Sequence, residues 1–162
     1  MISGKEGLQE AMVEAFSLEK GMREFYIYAV SKAKSNEARS TFMELRDWED
    51  RHMQYIESLY QAIMGDRELD SYEEFRNRVP SDRVESGIPI REAQAFFETR
   101  KPSDEIEIID FALEMEGKAY DFYRRSSESA EDTNAQVVFR EVMAQEKKHI
   151  DALRALKQSI GT

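Results

Sequence analysis

The sequence predicts an all-α protein: an antiparallel four-helix bundle of two duplicated helical hairpins, joined by a long crossover that contains short helices. Three observations predict it. The helix breakers cluster, with Pro80, Pro89 and Pro102 all falling within 23 residues. Proline lacks the N–H donor and clashes with the preceding turn, so helix interiors exclude it. The Pro-free stretches 1–79 and 103–162 carry apolar residues at spacings of three and four, with charges such as Glu114, Lys118 and Asp121 on the opposite face. Finally, an offset of 97 residues lays the second stretch on the first without a gap.

The elements follow in order. Ser3 with Glu6 matches a capping box, and the first helix spans roughly 4–33. Ser35-Asn36-Glu37 makes a break, with Asn36 as the next N-cap, and the second helix spans 37–64. Gly65 suits the C′ position that ends it. The connection 65–102 is long for a loop. In it Ser71 and Glu74 cap a turn with Tyr72, Phe75 and Val79, and a second apolar set follows at Ile90, Ala93, Phe96 and Phe97. Ile88, Ile90, Phe96 and Phe97 are read as covering one side of the bundle, with a homodimer contact as the alternative. Ser103 caps the third helix, 104–127. The polar stretch Ser127–Asp132 is a loop, Thr133 with Gln136 caps the fourth helix, 134–158, and Gly161 closes it. One domain, 1–162, therefore holds hairpins 4–64 and 103–158 around the connection 65–102.

The 97-residue offset matches Ala15 with Ala112, Glu19 with Glu116, Phe25 with Phe122, and Tyr26 with Tyr123. It also matches Ala38 with Ala135, Phe42 with Phe139, Glu49 with Glu146, His52 with His149, and Leu59 with Leu156. Each half reads Glu-x6-Tyr on its first helix and Glu-x-x-His on its second. The chain has only two His, and both fall in this pattern.

Each of these Glu residues sits in an apolar stripe. Residues three and four away from Glu49 are Leu45, His52 and Met53, with Arg46 at the edge of the stripe; from Glu146, Val142, Met143, His149 and Ile150. Glu116 lies among Ile109, Ala112, Leu113, Ala119, Tyr120 and Tyr123, and Glu19 among Met12, Ala15, Phe16, Met22 and Tyr26. In the second, third and fourth helices the Glu stands 13 residues after its cap, about 20 Å along the axis. The four carboxylates can therefore meet at one level. No four Lys or Arg share these faces, and unpaired buried carboxylates are costly. Two divalent cations supply +4 against −4, with neutral imidazoles completing their shells. The expected ligands are Glu19, Glu49, His52, Glu116, Glu146 and His149. Tyr26 and Tyr123 are read either as core aromatics bonded to the carboxylates or as residues supporting the site. Met22, Met43 and Met143 are read as core filling.

Composition narrows the function classes. The chain has no Cys, which excludes a disulfide framework, a zinc finger and a cysteine nucleophile. The net charge of −10 disfavours nucleic acid and anionic membrane surfaces as partners. No apolar stretch approaches a membrane span, and the start has no apolar signal segment, so a cytoplasmic protein is expected.

The Glu, Glu-x-x-His, Glu, Glu-x-x-His constellation on four helices resembles the ferritin-like di-iron carboxylate bundles. The stretches Glu19-Lys-Gly-Met-Arg-Glu-Phe-Tyr26 and Leu113-Glu-Met-Glu116-Gly-Lys-Ala-Tyr-Asp-Phe-Tyr123 are most similar to the rubrerythrin-related branch. The resemblance implies that Glu49 and Glu146 bridge two metals, with Glu19 and His52 completing one and Glu116 and His149 the other. Glu114 is a rival to Glu116, but the repeat register favours Glu116. The implied metal is iron, with manganese or zinc as alternatives. The implied activity is oxidoreductase chemistry, a peroxidase or oxidase reducing hydrogen peroxide or dioxygen. The alternatives are a ferroxidase or iron-storage role and a metal-stabilised interaction module without turnover. Two departures from the rubrerythrin pattern matter. Without Cys there is no rubredoxin-type centre in these residues, so a separate donor protein or small reductant is expected. Ala119 stands where an additional glutamate would exchange with a His, so that exchange is not expected.

Overall fold

Local capping decides where the helices begin. In the computed structural model, which describes residues 4–64 and 105–161, α1 is Gly4–Lys32, α2 is Asn36–Met64, α3 is Glu105–Ser129 and α4 is Thr133–Gly161. The N-caps lie one residue earlier than the sequence suggests. The Ala38 N–H donates to Ser35 Oγ at 3.1 Å, and the Ala135 N–H donates to Asp132 Oδ1 at 2.9 Å. Ser35 and Asp132, rather than Asn36 and Thr133, thus satisfy the N3 donors left free at a helix start. They are still 97 residues apart, so the repeat extends to its caps. Gln136 does not close a capping box; its Nε2 donates to Ala130 O at 2.7 Å.

Helix α3 runs two residues past its expected end. Ser127 Oγ donates to Arg124 O at 2.8 Å, and Ser129 Oγ donates to Arg125 O. Serines bonded back to the preceding turn tolerate helix, so the expected loop shrinks to Ala130–Asp132. Helix α4 runs three residues past its expected end at 158, and Gly161 is its last residue. The expectations for Ser3, Gly65, Ser103 and the connection, including Tyr72, Phe75, Ile88, Ile90, Phe96 and Phe97, fall outside the described residues.

The hairpins α1–α2 and α3–α4 are the main packing units, and they meet through α2 on α4 and α1 on α3. Side-chain pairs give the directions. Tyr26 reaches Glu116 and Tyr123 reaches Glu19, so the numbering falls on α3 as it rises on α1. His149 approaches Glu49 while His52 approaches Glu146, so α2 and α4 are also antiparallel. It follows that α2 and α3 run parallel. The end of α2 and the start of α3 therefore lie at opposite ends of the bundle, about 43 Å apart for a 29-residue helix. This is the ferritin-like topology, a four-helix bundle with a crossover between its hairpins.

The buried apolar residues form two clusters. One contains Met12, Phe16, Met53, Ile56, Leu59, Tyr60, Tyr123 and Phe139. The other contains Met22, Phe25, Tyr26, Phe42, Leu45, Ile109, Met115 and Leu153. Between them lies a polar layer. Met22 is core, as expected, and Met143 packs partly buried against it, whereas Met43 is 40% exposed. The stripe on α2 that contains Phe42, Leu45 and Glu49 does not include position 43, which points away from α1 and α4.

A long-range anchor fastens one end. Glu105 Oε1 accepts from the Ser35 N–H at 2.6 Å and from the Lys34 N–H, while Ser35 Oγ donates to Oε2 at 2.9 Å. Burial raises the Glu105 pKa, but the Ser35 and Lys34 N–H groups outweigh it and the carboxyl is lowered. The repeat places Leu8 at the matching position of α1, and Leu8 is buried in one apolar cluster with Ala130 of the other turn. One turn is held by a carboxylate and the other by apolar packing.

Ser35→Ala and Asp132→Ala should each cost about 1 kcal/mol. Glu105→Ala should cost more, about 1–3 kcal/mol, because it removes the acceptor of three part-buried donors at once. Urea unfolding followed by circular dichroism measures all three, and a Glu105→Ala loss below the cap losses would contradict the anchor.

Candidate metal centre

The polar layer is built from one residue type per helix position. Glu19 from α1, Glu49 from α2, Glu116 from α3 and Glu146 from α4 are all fully buried, and His52 and His149 are 3% exposed. Every residue expected at the site from the sequence is brought into this layer. Glu114 is not; it is exposed and pairs with Lys118 at 3.4 Å. Its place 200° around the helix from Glu116 follows from 100° per residue.

The donor atoms fall into two overlapping sets. Glu19, Glu49, His52 and Glu146 place ligand atoms within 4.8 Å of one another, as do Glu49, Glu116, Glu146 and His149. Glu49 and Glu146 belong to both. Each imidazole turns Nδ1 inward. His52 Nδ1 lies 2.9 Å from Glu146 Oε1, 3.1 Å from Glu19 Oε2 and 3.4 Å from Glu49 Oε2. His149 Nδ1 lies 3.3 Å from Glu49 Oε1 and 3.5 Å from both Glu116 Oε1 and Glu146 Oε2.

The tyrosines cross between the hairpins. Tyr26 on α1 donates its hydroxyl hydrogen to Glu116 Oε1 on α3 at 2.5 Å. Tyr123 on α3 donates in return to Glu19 Oε1 on α1. Both are fully buried. Each ring also packs on a phenylalanine of the following helix in its own hairpin, Tyr26 on Phe42 and Tyr123 on Phe139, with centroids 6.2 Å apart. Each hydroxyl thus fixes one carboxylate, and each aromatic pair keeps water from it.

Several of these buried polar atoms have no hydrogen-bond partner. They include both carboxylate oxygens of Glu49 and of Glu146, Glu116 Oε2, both ring nitrogens of His149, and His52 Nε2. A native interior satisfies nearly all its buried polar groups. Four carboxylates facing only two imidazoles also leave excess negative charge, even with both rings protonated. A pair of divalent cations would answer both defects at once, because oxygen and imidazole donors suit iron, manganese or zinc. The donor set therefore fits a two-ion centre.

Without cations, protons must offset part of that charge. Burial, reinforced by the Glu49 carboxylate, pushes Glu19 up from 4.5 to about 8. Burial, reinforced by Glu146, pushes Glu116 up to about 8 as well. Burial and the Glu116 charge would raise Glu49 too, but the close approach of Glu19, His149 and His52 holds it down near 2. Burial would lower both imidazoles, but the facing carboxylates win and raise them well above 6.5.

Trp48 is a site neighbour not singled out in the sequence. Its ring centroid lies 6.2 Å from His52 and 6.3 Å from His149, and Arg51 covers it at 4.6 Å. The signal was present, because Trp48 stands four residues before His52 and so shares its helix face.

The rubrerythrin family model matches residues 10–157, which include all four glutamates and both histidines of the layer. No curated protein matches the chain, and no solved structure does.

The linkage between protons and folding gives a test. Glu19 and Glu116 bind protons more tightly folded than unfolded, so their stabilisation is complete below 4.5 and is lost as pH rises toward 8. The imidazoles add a loss above 6.5. In chelator the melting temperature should therefore fall between pH 5 and pH 8. With Mn²⁺ in place of the protons, the fall should flatten. A melting temperature that rises over this range in chelator would contradict the charge balance.

Proposed function

We propose that this chain, which belongs to the rubrerythrin family, holds two iron ions in the buried layer. There it reduces hydrogen peroxide or dioxygen with electrons from a donor outside these residues. The observation that supports this most directly is the sharing of Glu49 and Glu146 between two complete donor sets. A single-ion site needs no such sharing.

Glu49 and Glu146 would bridge the pair. Glu19 with His52, and Glu116 with His149, would complete its two ends. When bound, two ferrous ions supply two electrons, the number needed to turn one hydrogen peroxide and two protons into two waters. The chain's own residues do the rest. The Tyr26 and Tyr123 hydroxyls hold the end carboxylates Glu116 and Glu19 from the opposite hairpin, so these ligands keep their orientation as charge changes. The two apolar clusters above and below the layer exclude bulk water, which strengthens every charge interaction inside it. The imidazoles present Nδ1 and leave Nε2–H as the proton-bearing nitrogen.

Among the described residues no helix is long and apolar enough to cross a membrane. A cytoplasmic setting is part of the proposal.

Two experiments test it. Glu49→Gln combined with Glu146→Gln should abolish binding of two metal ions per chain by elemental analysis. The metal-free variant should fold at least as stably as the metal-free parent, because two buried charges are gone; two ions still held would refute the bridging assignment. The parent protein, loaded anaerobically with Fe(II), should consume one hydrogen peroxide per iron pair within the mixing time. A chemical reductant should restore it over repeated cycles. Slow oxidation, or uptake of many Fe(II) per chain, would overturn the peroxidase or oxidase reading, the latter in favour of iron handling.

A further inference from the structure

The two imidazoles differ in what stands one helical turn before them. Trp48 precedes His52 by four residues and Gln145 precedes His149 by four, and positions 48 and 145 are themselves related by the 97-residue repeat. Residues four apart share a helix face, and Trp48 does pack on His52. The same spot beside His149 therefore holds an amide instead of an indole.

The polar atoms there are complementary. Gln145 Oε1 is buried without a hydrogen-bond partner, and so is His149 Nε2. Gln145 and His149 line one cavity of about 210 Å³ between α2 and α4, with Thr41 and Trp48 also on its wall. Once Nδ1 faces a cation, Nε2 carries the ring hydrogen and needs an acceptor. The amide oxygen is an acceptor that needs a donor. The cavity exceeds the roughly 30 Å³ that one water occupies, so one water can join the two, and a rotation of the amide can join them directly.

We infer that Gln145 is the positioning residue of His149: its Oε1 takes the Nε2–H, directly or across one water in the α2–α4 cavity, and holds Nδ1 toward the ion. His52 has Trp48 in the corresponding place and gains no such acceptor from it. The duplicated site is therefore unequal, and the position completed by Glu116 and His149 depends on Gln145 while the other does not. This inference rests on the two-ion reading above.

Co(II) is the probe, because it shifts the N–H proton of a ligating imidazole far outside the ordinary range. The parent protein should bind two Co(II) and show a shifted, solvent-exchangeable N–H resonance from His149. Gln145→Leu should weaken one of the two Co(II) positions by about 10- to 100-fold and lose the His149 resonance to fast exchange, with the far-ultraviolet dichroism unchanged. Gln145→Glu keeps an oxygen acceptor at the same reach and should restore both. Unchanged affinities and resonances in Gln145→Leu would overturn the inference. So would equal weakening of both positions in Gln145→Leu and Gln145→Glu, the mark of a merely structural effect. Failure of the parent protein to bind two Co(II) would instead refute the two-ion reading, and is seen before any variant is made.

Discussion

Four carboxylates buried at one level of a helical bundle are the constraint around which this molecule is arranged. Glu19, Glu49, Glu116 and Glu146 have no exposed surface. Their mutual repulsion and lost hydration would oppose folding unless something positive shares the layer. Two imidazoles offset part of the charge and two tyrosine hydroxyls satisfy one oxygen each on Glu116 and Glu19. The oxygens of Glu49 and Glu146 stay without hydrogen-bond partners. The bundle can accept this arrangement because apolar clusters on either side supply the burial that stabilises it.

Duplication is how the chain brings such groups together. A hairpin alone presents one Glu on its first helix and Glu-x-x-His on its second. Two hairpins related by a pseudo-twofold place four carboxylates and two imidazoles face to face, and make the end ligands of one half depend on the tyrosine of the other. The symmetry is kept at the caps, Ser35 and Asp132, and given up elsewhere. Glu105 anchors one turn by hydrogen bonds, whereas Leu8 joins an apolar cluster with Ala130 at the other. Trp48 packs near both imidazoles, whereas its repeat counterpart Gln145 shares a cavity wall with His149. A duplicated framework thus carries two halves that need not behave alike.

Much of this was legible in the sequence because helix periodicity and the repeat are local properties. The apolar stripe around Glu116 excluded Glu114, and the exposed Glu114–Lys118 pair agrees. The misreadings are local too. Asn36 and Thr133 read as caps in the sequence while Ser35 and Asp132 cap in the structure, because all four residue types can cap and only the geometry of the N3 donor separates them. Helix α3 outran its expected end because Ser127 and Ser129 bond back to their own helix. Residue type alone suggests core for Met43, whereas its helix face leaves it exposed.

The sequence by itself determined which residues occupy the layer. Their spacing on each helix and the single 97-residue offset leave one consistent register. Only the tertiary structure decided who faces whom. Tyr26 and Glu19 stand seven residues apart on α1, about 10 Å along the axis, which is beyond hydrogen-bond reach. Tyr26 therefore bonds Glu116, and Tyr123 bonds Glu19, only once α1 and α3 lie antiparallel. The shared membership of Glu49 and Glu146 in both donor sets likewise exists only where α2 meets α4. Helix periodicity acts within a few residues of chain. A shared carboxylate depends on the distance between separate helices, and packing alone sets that distance.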